Sequence, residues 1–330
     1  MNPDQSPLVS VGMAVRDCEK TVEIAIRSIL RQSYGAWELI ILDDGSTDKT
    51  VEIAKSFDDS RIQVRANGRH EGLPHRLNEA ILLSTGKYFA RMDGDDVAYP
   101  ERFERQVRYL EEHFDADLLG AGILVFQGNG YALGTRAIRR THEEICYRPW
   151  SGFYLPHPTW IGRTSWFRRH LYRPEAVRME DQELMLRTYR TSRFASMPDI
   201  LLGYREDSFS LRKSIRSRFH LVKVLLKRSL RDEGTFAFAW RGMVEHTLKV
   251  TLEIFAVASG RTYRILRHRA LPLKPAELAR WEQVWRELTI SADGSIVPAL
   301  EAQVRLPKYT PDKDGNGARP PAARRAFEDQ

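Results

Sequence analysis

Tyr88-Phe89-Ala90-Arg91-Met92-Asp93-Gly94-Asp95-Asp96 carries a run of strand length, 88–92, straight into three carboxylates. An earlier stretch repeats the pattern: the apolar run 38–42 leads into Asp43-Asp44-Gly45-Ser46. Around these two runs the chain alternates. Val9–Val15 reads as a short apolar strand, and 19–32 as a helix with Val22, Ile26, Ile29 and Leu30 at helical spacing and Gly35 just past its end. The segment 47–57 reads as a helix capped by Ser46 or Thr47, and 61–66 as a strand. Next come a helix over 74–85 with Pro74 at its start and Gly86 after its end, a helix over 100–113, and an apolar strand at Leu118–Phe126. A βαβα rhythm of this kind predicts a mainly parallel sheet with helices on both faces. Ligands of such sheets bind outside the carboxyl ends of the strands, and here acidic residues stand at two of those ends.

The 330 residues suffice for one large domain and an appendage, and 42% hydrophobic with 29% charged residues is an ordinary globular composition. Cys18 and Cys146 are too few and too far apart for a disulfide framework or a zinc site, which points to a reducing compartment. The N-terminus shows no basic start and no apolar export region, and no run approaches 18 uncharged apolar residues. A cytoplasmic location follows as the expectation.

The net charge of +7 is uneven: residues 205–231 hold nine Lys or Arg against Glu206 and Asp207. An anionic partner, such as a membrane surface or a lipid-linked phosphate, and a solvated basic helix face both account for this. Residues 150–205 read as irregular apart from a helix around 181–189. From 211 onward Ile215, Phe219, Val222 and Leu226 form a helical stripe beside Arg216, Lys223 and Lys227. Over 235–259 the residues Arg241, Glu245, Lys249 and Glu253 fall four apart opposite a broad apolar face, followed by Arg261, Arg264, Arg267 and Arg269. Packing on the catalytic domain and contact with a membrane surface explain that pattern equally well. The expected division is 1–210 as catalytic domain, 211–290 as a helical appendage, and 291–330 as a mostly disordered, Pro-, Gly- and charge-rich tail.

Asp93 and Asp95, one residue apart at a strand end, can both approach a hard divalent cation. The spacing alone is weak, since Asp115/Asp117 and Asp312/Asp314 share it; the position after an apolar strand singles out the first copy. Asp44 can accept from the edge of a nucleobase, or it can simply form an Asx turn before a helix. Glu180-Asp181 opens a helix, where acids favour the dipole; a carboxylate there can also serve as a general base. His157, before Pro158, is open to a ligand role or a structural one.

Several of these motifs, taken together and in order over residues 7–210, resemble family 2 glycosyltransferases. They are Ser10-Val11-Gly12-Met13-Ala14-Val15, Leu42-Asp43-Asp44-Gly45-Ser46-Thr47-Asp48, Ala90-Arg91-Met92-Asp93-Gly94-Asp95-Asp96, Pro100-Glu101-Arg102, His157-Pro158-Thr159, Met179-Glu180-Asp181 and Leu202-Gly203-Tyr204-Arg205. The resemblance implies a GT-A fold and an inverting transfer from a nucleotide-diphosphate sugar, UDP-sugars favoured, to an acceptor hydroxyl in surface polysaccharide or glycan assembly. It implies Val15 and Asp44 in the nucleoside pocket, Arg76 near the diphosphate, and Asp93 facing ribose and diphosphate. Asp95, with Asp93, would hold Mn2+ or Mg2+, and Asp181 would be the base with Glu180 beside it.

The chain departs from the family in two places. Ala14, Arg16 and Asp17 replace the usual Pro, aromatic and Asn after the first strand. Glu206-Asp207-Ser208 stands where a His is common, so Asp207 is expected to complete the metal shell. The expected partners are the donor and a glycan or lipid-linked acceptor, with an anionic membrane surface and no nucleic acid. Two rivals remain at this stage. Asp93-Gly94-Asp95-Asp96-Val97 also fits the nucleophile motif of haloacid-dehalogenase-like phosphatases, although three strands precede it. A catalytically inactive relative that binds nucleotide-sugar or glycan is the other.

Overall fold

The computed structural model describes residues 6–207, 210–229, 236–259 and 271–289. The strands β1 (Val9–Val15), β2 (Trp37–Asp43), β3 (Ile62–Ala66) and β4 (Tyr88–Asp93) pair in parallel in the order β3-β2-β1-β4. Leu39 and Ile41 face one side of β2 while Ile40 and Leu42 face the other, and both sides are buried. That is why these strands read as continuous apolar runs rather than alternating ones. The helices α1 (Val22–Leu30) and α4 (Arg102–Glu112) cover one face, and α3 (Leu73–Leu83) the other. At Gly12 a Cβ would come within 2.5 Å of the Phe89 ring, so glycine lets α3 and β4 close on β1.

Beyond β4 the sheet departs from the parallel expectation. A three-residue strand, β8 (Ile161–Arg163), inserts antiparallel between β4 and β6 (Leu118–Phe126). On the far side of β6 lies β9 (Phe194–Arg205), parallel to it, with the short β5 (Val97–Ala98) antiparallel at the edge. The strand β7 (Ala132–Thr135) also pairs with β6. Both β8 and β9 fall in the stretch expected to be irregular: β8 is too short to show a period, and β9 shifts register around Pro198-Asp199. The remaining short helices are α2 (Thr50–Lys55), α5 (His142–Ile145) and α6 (Thr164–Arg169), while α7 (Glu180–Thr188) matches the helix expected near 181.

In the C-terminal third, α8 (Leu211–Ser229) and α9 (Phe236–Ala258) pack antiparallel: Arg218 meets Glu253, and Gly242 sits against Leu225. Leu221 and Leu225 anchor the pair in a core shared with Met179, Leu184 and Met185. The last described helix, α10 (Pro275–Thr289), returns to the catalytic sheet. Its Trp281, Val284, Trp285 and Leu288 pack on Val97, Tyr99, Leu124 and Phe126, and Trp281 Nε1 donates to Gly130 O at 2.8 Å. Part of the 211–290 region therefore belongs to the catalytic core. The arginines at 261–269 and the tail at 291–330 lie outside the described residues. Among the described residues no helix is long and apolar enough to cross a membrane.

Candidate active site

The order of strands reverses between β1 and β4, and the crevice at their carboxyl ends is the expected ligand site. Asp43 and Asp44, which close β2, divide two roles there. Asp43 makes the Asx turn, accepting from Gly45 N at 3.1 Å and Ser46 N at 3.2 Å, with Gly45 at φ +76°. Asp44 turns the other way: its backbone N–H donates to Val15 O at 2.8 Å, which ties the ends of β1 and β2 together. Its carboxylate accepts from Glu71 N (2.8 Å), Gly72 N (3.0 Å), Arg76 Nε (3.2 Å) and His70 Nδ1 (2.7 Å). Burial resists ionisation of this group, but the donors of Glu71, Gly72, His70 and Arg76 outweigh it and hold the carboxyl below its usual range. Val15 is buried beneath Gly94, where an added Cβ would come within 2.8 Å of it.

Arg76 is placed elsewhere than against a diphosphate. Its guanidinium is buried, with Nε on Asp44, Nη1 on Glu79 and Glu71, and Nη2 on Asn67 Oδ1 and Arg69 O. These contacts tie Asp44 to the 67–72 loop and to α3.

At the end of β4 the carboxylates of Asp93, Asp95 and Asp96 bring one oxygen each within 4.8 Å of one another. Asp96 is buried, accepts from Arg205 N at 3.0 Å through Oδ1, and leaves Oδ2 without a partner. Burial, then the charges of Asp95 and Asp93, push it well above the ordinary value. Asp95 reaches solvent at the crevice mouth, but withdrawal from bulk water on its other sides and the neighbouring Asp93 push it up to about 6. A set of hard oxygens short of positive charge suits Mg2+ or Mn2+. Asp207 is not in this set: its carboxylate accepts from Gly128 N at 2.6 Å, tying the end of β9 to the turn after β6.

Glu180 and Asp181 open α7 after Arg178, which takes a left-handed φ of +64°. Gln182 receives Phe153 N–H at 2.7 Å and donates to Asp181 Oδ2 at 3.0 Å, which fixes the orientation of that carboxylate. Burial, then the Asp181 charge, pushes Glu180 up to about 7, and burial raises Asp181 as well. Arg91 pairs with the first acidic group and interacts electrostatically with the second. It is buried, its Nη2 meets Asp93 Oδ1, and its charge is held by Asp93, Asp96, Tyr172 and Glu180 despite burial. His157 donates or accepts with the Tyr172 hydroxyl at 2.8 Å, and burial keeps it neutral; its role is structural.

The residues singled out in the sequence thus fall into three groups: Val15, Asp44 and Arg76; Asp93 and Asp95; Glu180 and Asp181. Arg91, Gln182 and Arg205, whose Nε donates to Asp95 O at 3.0 Å, were not singled out. A signal existed for Arg91, because strand alternation puts residues 91 and 93 on one face.

A parallel nucleotide-binding half with carboxylates at the ends of β2 and β4, joined to a mixed half carrying an acid pair, defines the GT-A class of sugar transferases. The model named Glycosyl transferase family 2 matches residues 10–171. EpsE of Bacillus subtilis, a protein named as a glycosyltransferase, is 37% identical over 219 residues, 64% of this chain and 77% of that one. The Escherichia coli UDP-Glc:alpha-D-GlcNAc-diphosphoundecaprenol beta-1,3-glucosyltransferase WfgD is 35% identical over 103 residues, 31% of this chain and 41% of that one. The mannosyltransferase PcManGT of Pyrobaculum calidifontis, solved with GDP-Man and Mn2+, superposes with a TM-score of 0.56 at 15% identity, covering 87% of this chain and 88% of that one. The chain belongs to the family 2 glycosyltransferases and is an enzyme of glycosyl transfer. Nothing in these relatives supports the phosphatase alternative, and the D-x-D-x-V motif sits on β4 of the sheet rather than on its first strand.

Proposed function

We propose that this glycosyltransferase moves a hexosyl or related unit, with inversion, from a nucleotide-diphosphate sugar to a hydroxyl of a lipid-linked or glycan acceptor. A UDP-sugar is favoured, by the WfgD likeness, and the enzyme acts at the inner face of a membrane. The observation that carries this reading is the pairing of two separate acidic groups, Asp93-Asp95-Asp96 and Glu180-Asp181, about one buried cation, Arg91. One group suits a metal and the other a proton.

The donor base lies over Val15 and meets Asp44. Of the two side chains on that carboxylate His70 is the exposed one, and a base imide N–H replaces it on Oδ2. Asp93 and Asp95 would hold Mn2+ or Mg2+, with Asp96 fixed behind them by Arg205 N, and a cation there would supply positive charge against the departing diphosphate. Asp181, oriented by Gln182 and raised by burial, takes the acceptor proton as the hydroxyl oxygen attacks the anomeric carbon opposite the diphosphate. The charge of Asp181 in turn helps to hold the proton on Glu180. No covalent intermediate forms, so the configuration inverts.

The test is Asp181→Asn. Donor affinity by calorimetry stays within about twofold while transfer falls ~10²-fold or more, the range for a lost general base. Loss of donor affinity along with transfer would make Asp181 a binding or structural residue.

A further inference from the structure

Helix α9 packs inside out. Three of the four charged residues of its stripe, Glu245, Lys249 and Glu253, face the protein, where a surface helix would turn them to water. Glu253 is buried against Arg218 and Ser214, Glu245 takes the Ser151 hydroxyl, Lys249 Nζ donates to Ser151 Oγ at 3.0 Å, and His246 Nε2 meets Trp150 O at 3.1 Å. The apolar stripe faces out. Phe236, Trp240, Val244, Leu248, Leu252 and Phe255 succeed one another at intervals of four and three residues, and each is more than half exposed, from 51% at Val244 to 71% at Phe236. A contiguous apolar face of this size marks an interaction surface.

Its flanks identify the partner. On α8 the exposed charged residues are Arg212, Lys213, Arg216, Lys223 and Lys227, and on α9 Arg241. No Asp or Glu is exposed among the described residues of either helix: α8 has none, and Glu245 and Glu253 are turned inward. Phe219 and Leu226 extend the apolar surface onto α8. A second copy docking face to face would bring these cations against their own kind, so self-association is disfavoured by the charge pattern that favours an anionic surface.

We infer that α8 and α9 form an in-plane docking element for an anionic lipid surface, the apolar stripe of α9 entering the interface and the α8 cations meeting lipid headgroups. The inference rests on the proposed lipid-linked acceptor for its purpose. The element is fastened to the acceptor side of the site: α8 packs on α7, which carries Glu180 and Asp181, and α9 grips Trp150 and Ser151, beside Phe153 and the Gln182 that orients Asp181. A membrane engaged by α9 therefore lies on the side from which a lipid-linked hydroxyl reaches the base.

The full chain is floated with vesicles of phosphatidylcholine alone, or with phosphatidylglycerol as about a third of the lipid, at low and moderate salt. Binding to the anionic vesicles exceeds binding to neutral ones by about tenfold or more and weakens with salt, since each cation near an anionic leaflet contributes roughly fivefold. The double variant Trp240→Ser, Leu248→Ser lowers vesicle affinity by at least about tenfold, given the apolar area withdrawn. Its thermal shift with nucleoside diphosphate and Mn2+ stays as in the parent, which shows that it is folded. Absence of flotation with both vesicle types overturns the inference, as does flotation unaffected by the double variant. So does a stable dimer in sedimentation that the variant dissociates while the parent ignores vesicles, for then a second copy is the occupant. Transfer to a soluble acceptor is measured in parallel: a chain that floats but transfers nothing refutes the proposed reaction and leaves the docking surface standing, and the reverse result does the opposite.

Discussion

Replacing Glu180 by Gln should make the metal-free protein more stable in alkali and no more stable in acid. Glu180 is buried at the start of α7, its Oε2 has no hydrogen-bond partner, and burial with the adjacent Asp181 raises its carboxyl from 4.5 to about 7. The folded protein therefore binds this proton more tightly than the unfolded chain does. Stability falls as pH rises from about 4.5 to about 7, and above that the loss is complete. At ~1.36 kcal/mol per pH unit, the interval amounts to about 3 kcal/mol. Glutamine keeps the shape and cannot ionise. Whatever its amide costs in the buried site is the same at each pH, so the quantity to read is the change in the variant-minus-parent difference between pH ~5 and pH ~8. Urea titrations in chelator should show that difference move by about 2–3 kcal/mol in favour of the variant. A second reading comes from catalysis. Asp181 ionises before Glu180, whose proton its charge helps to hold, so the acid limb of kcat/KM that Asp181 sets should stay in place. An equal stability difference at both pH values, or a displaced acid limb, would refute the account of this pair.

Asp95→Ala should abolish Mn2+-dependent affinity for nucleoside diphosphate in a calorimetric titration; unchanged metal-dependent binding would remove Asp95 from the metal site. His70→Ala leaves Asp44 Oδ2 with Gly72 N at 3.1 Å and room for a second donor, and the donor KM should fall by up to about fivefold, the worth of one exposed hydrogen bond; a rise would mean that His70 itself contacts the donor. Trp281→Ala leaves a cavity against Gly203 and Phe126 and an unpaired Gly130 carbonyl, costing ~3–5 kcal/mol in urea unfolding. A loss under about 1 kcal/mol would show that α10 is no part of the cooperative domain.

The parallel half was legible because both faces of β1, β2 and β4 are covered, so each strand stands out as an apolar run ending in a polar turn. The other half was not, because β8 is three residues long and β9 is broken by Pro198, which leaves neither period nor run to read. At the site, position along the chain identified Asp93, Asp95 and Asp181 as candidates, since each stands at the end of an element where a carboxylate can face a ligand. It gave no way to divide Asp43 from Asp44, which differ only in which way the turn throws them. Nor did it show the partners that Arg76 and Asp207 find in the fold. A cation in a helix near a phosphate site is as readily used to hold a neighbouring acid, and Asp207 is claimed by a backbone N–H, Gly128, that is 79 residues away in sequence.

The orientation of α9 was beyond the pattern altogether. Four charged residues spaced by four define a stripe, and the remaining residues define an apolar face, but periodicity is blind to which of the two meets protein. The usual assignment buries the apolar side. Here specific polar partners decide otherwise: Arg218 and Ser214 on α8 receive Glu253, and Trp150 O with the Ser151 hydroxyl receive His246, Glu245 and Lys249. Those partners lie far off in the chain, and one of them is a backbone carbonyl, so no local reading could have supplied them. Burying Glu253 and half-burying Glu245 and Lys249 at a helix interface while leaving Trp240, Leu248 and Phe255 in water is costly for a chain that stays in solution. The arrangement becomes favourable once an apolar, anionic surface takes up the exposed side, which ties the fold of the C-terminal third to the place where the acceptor is met.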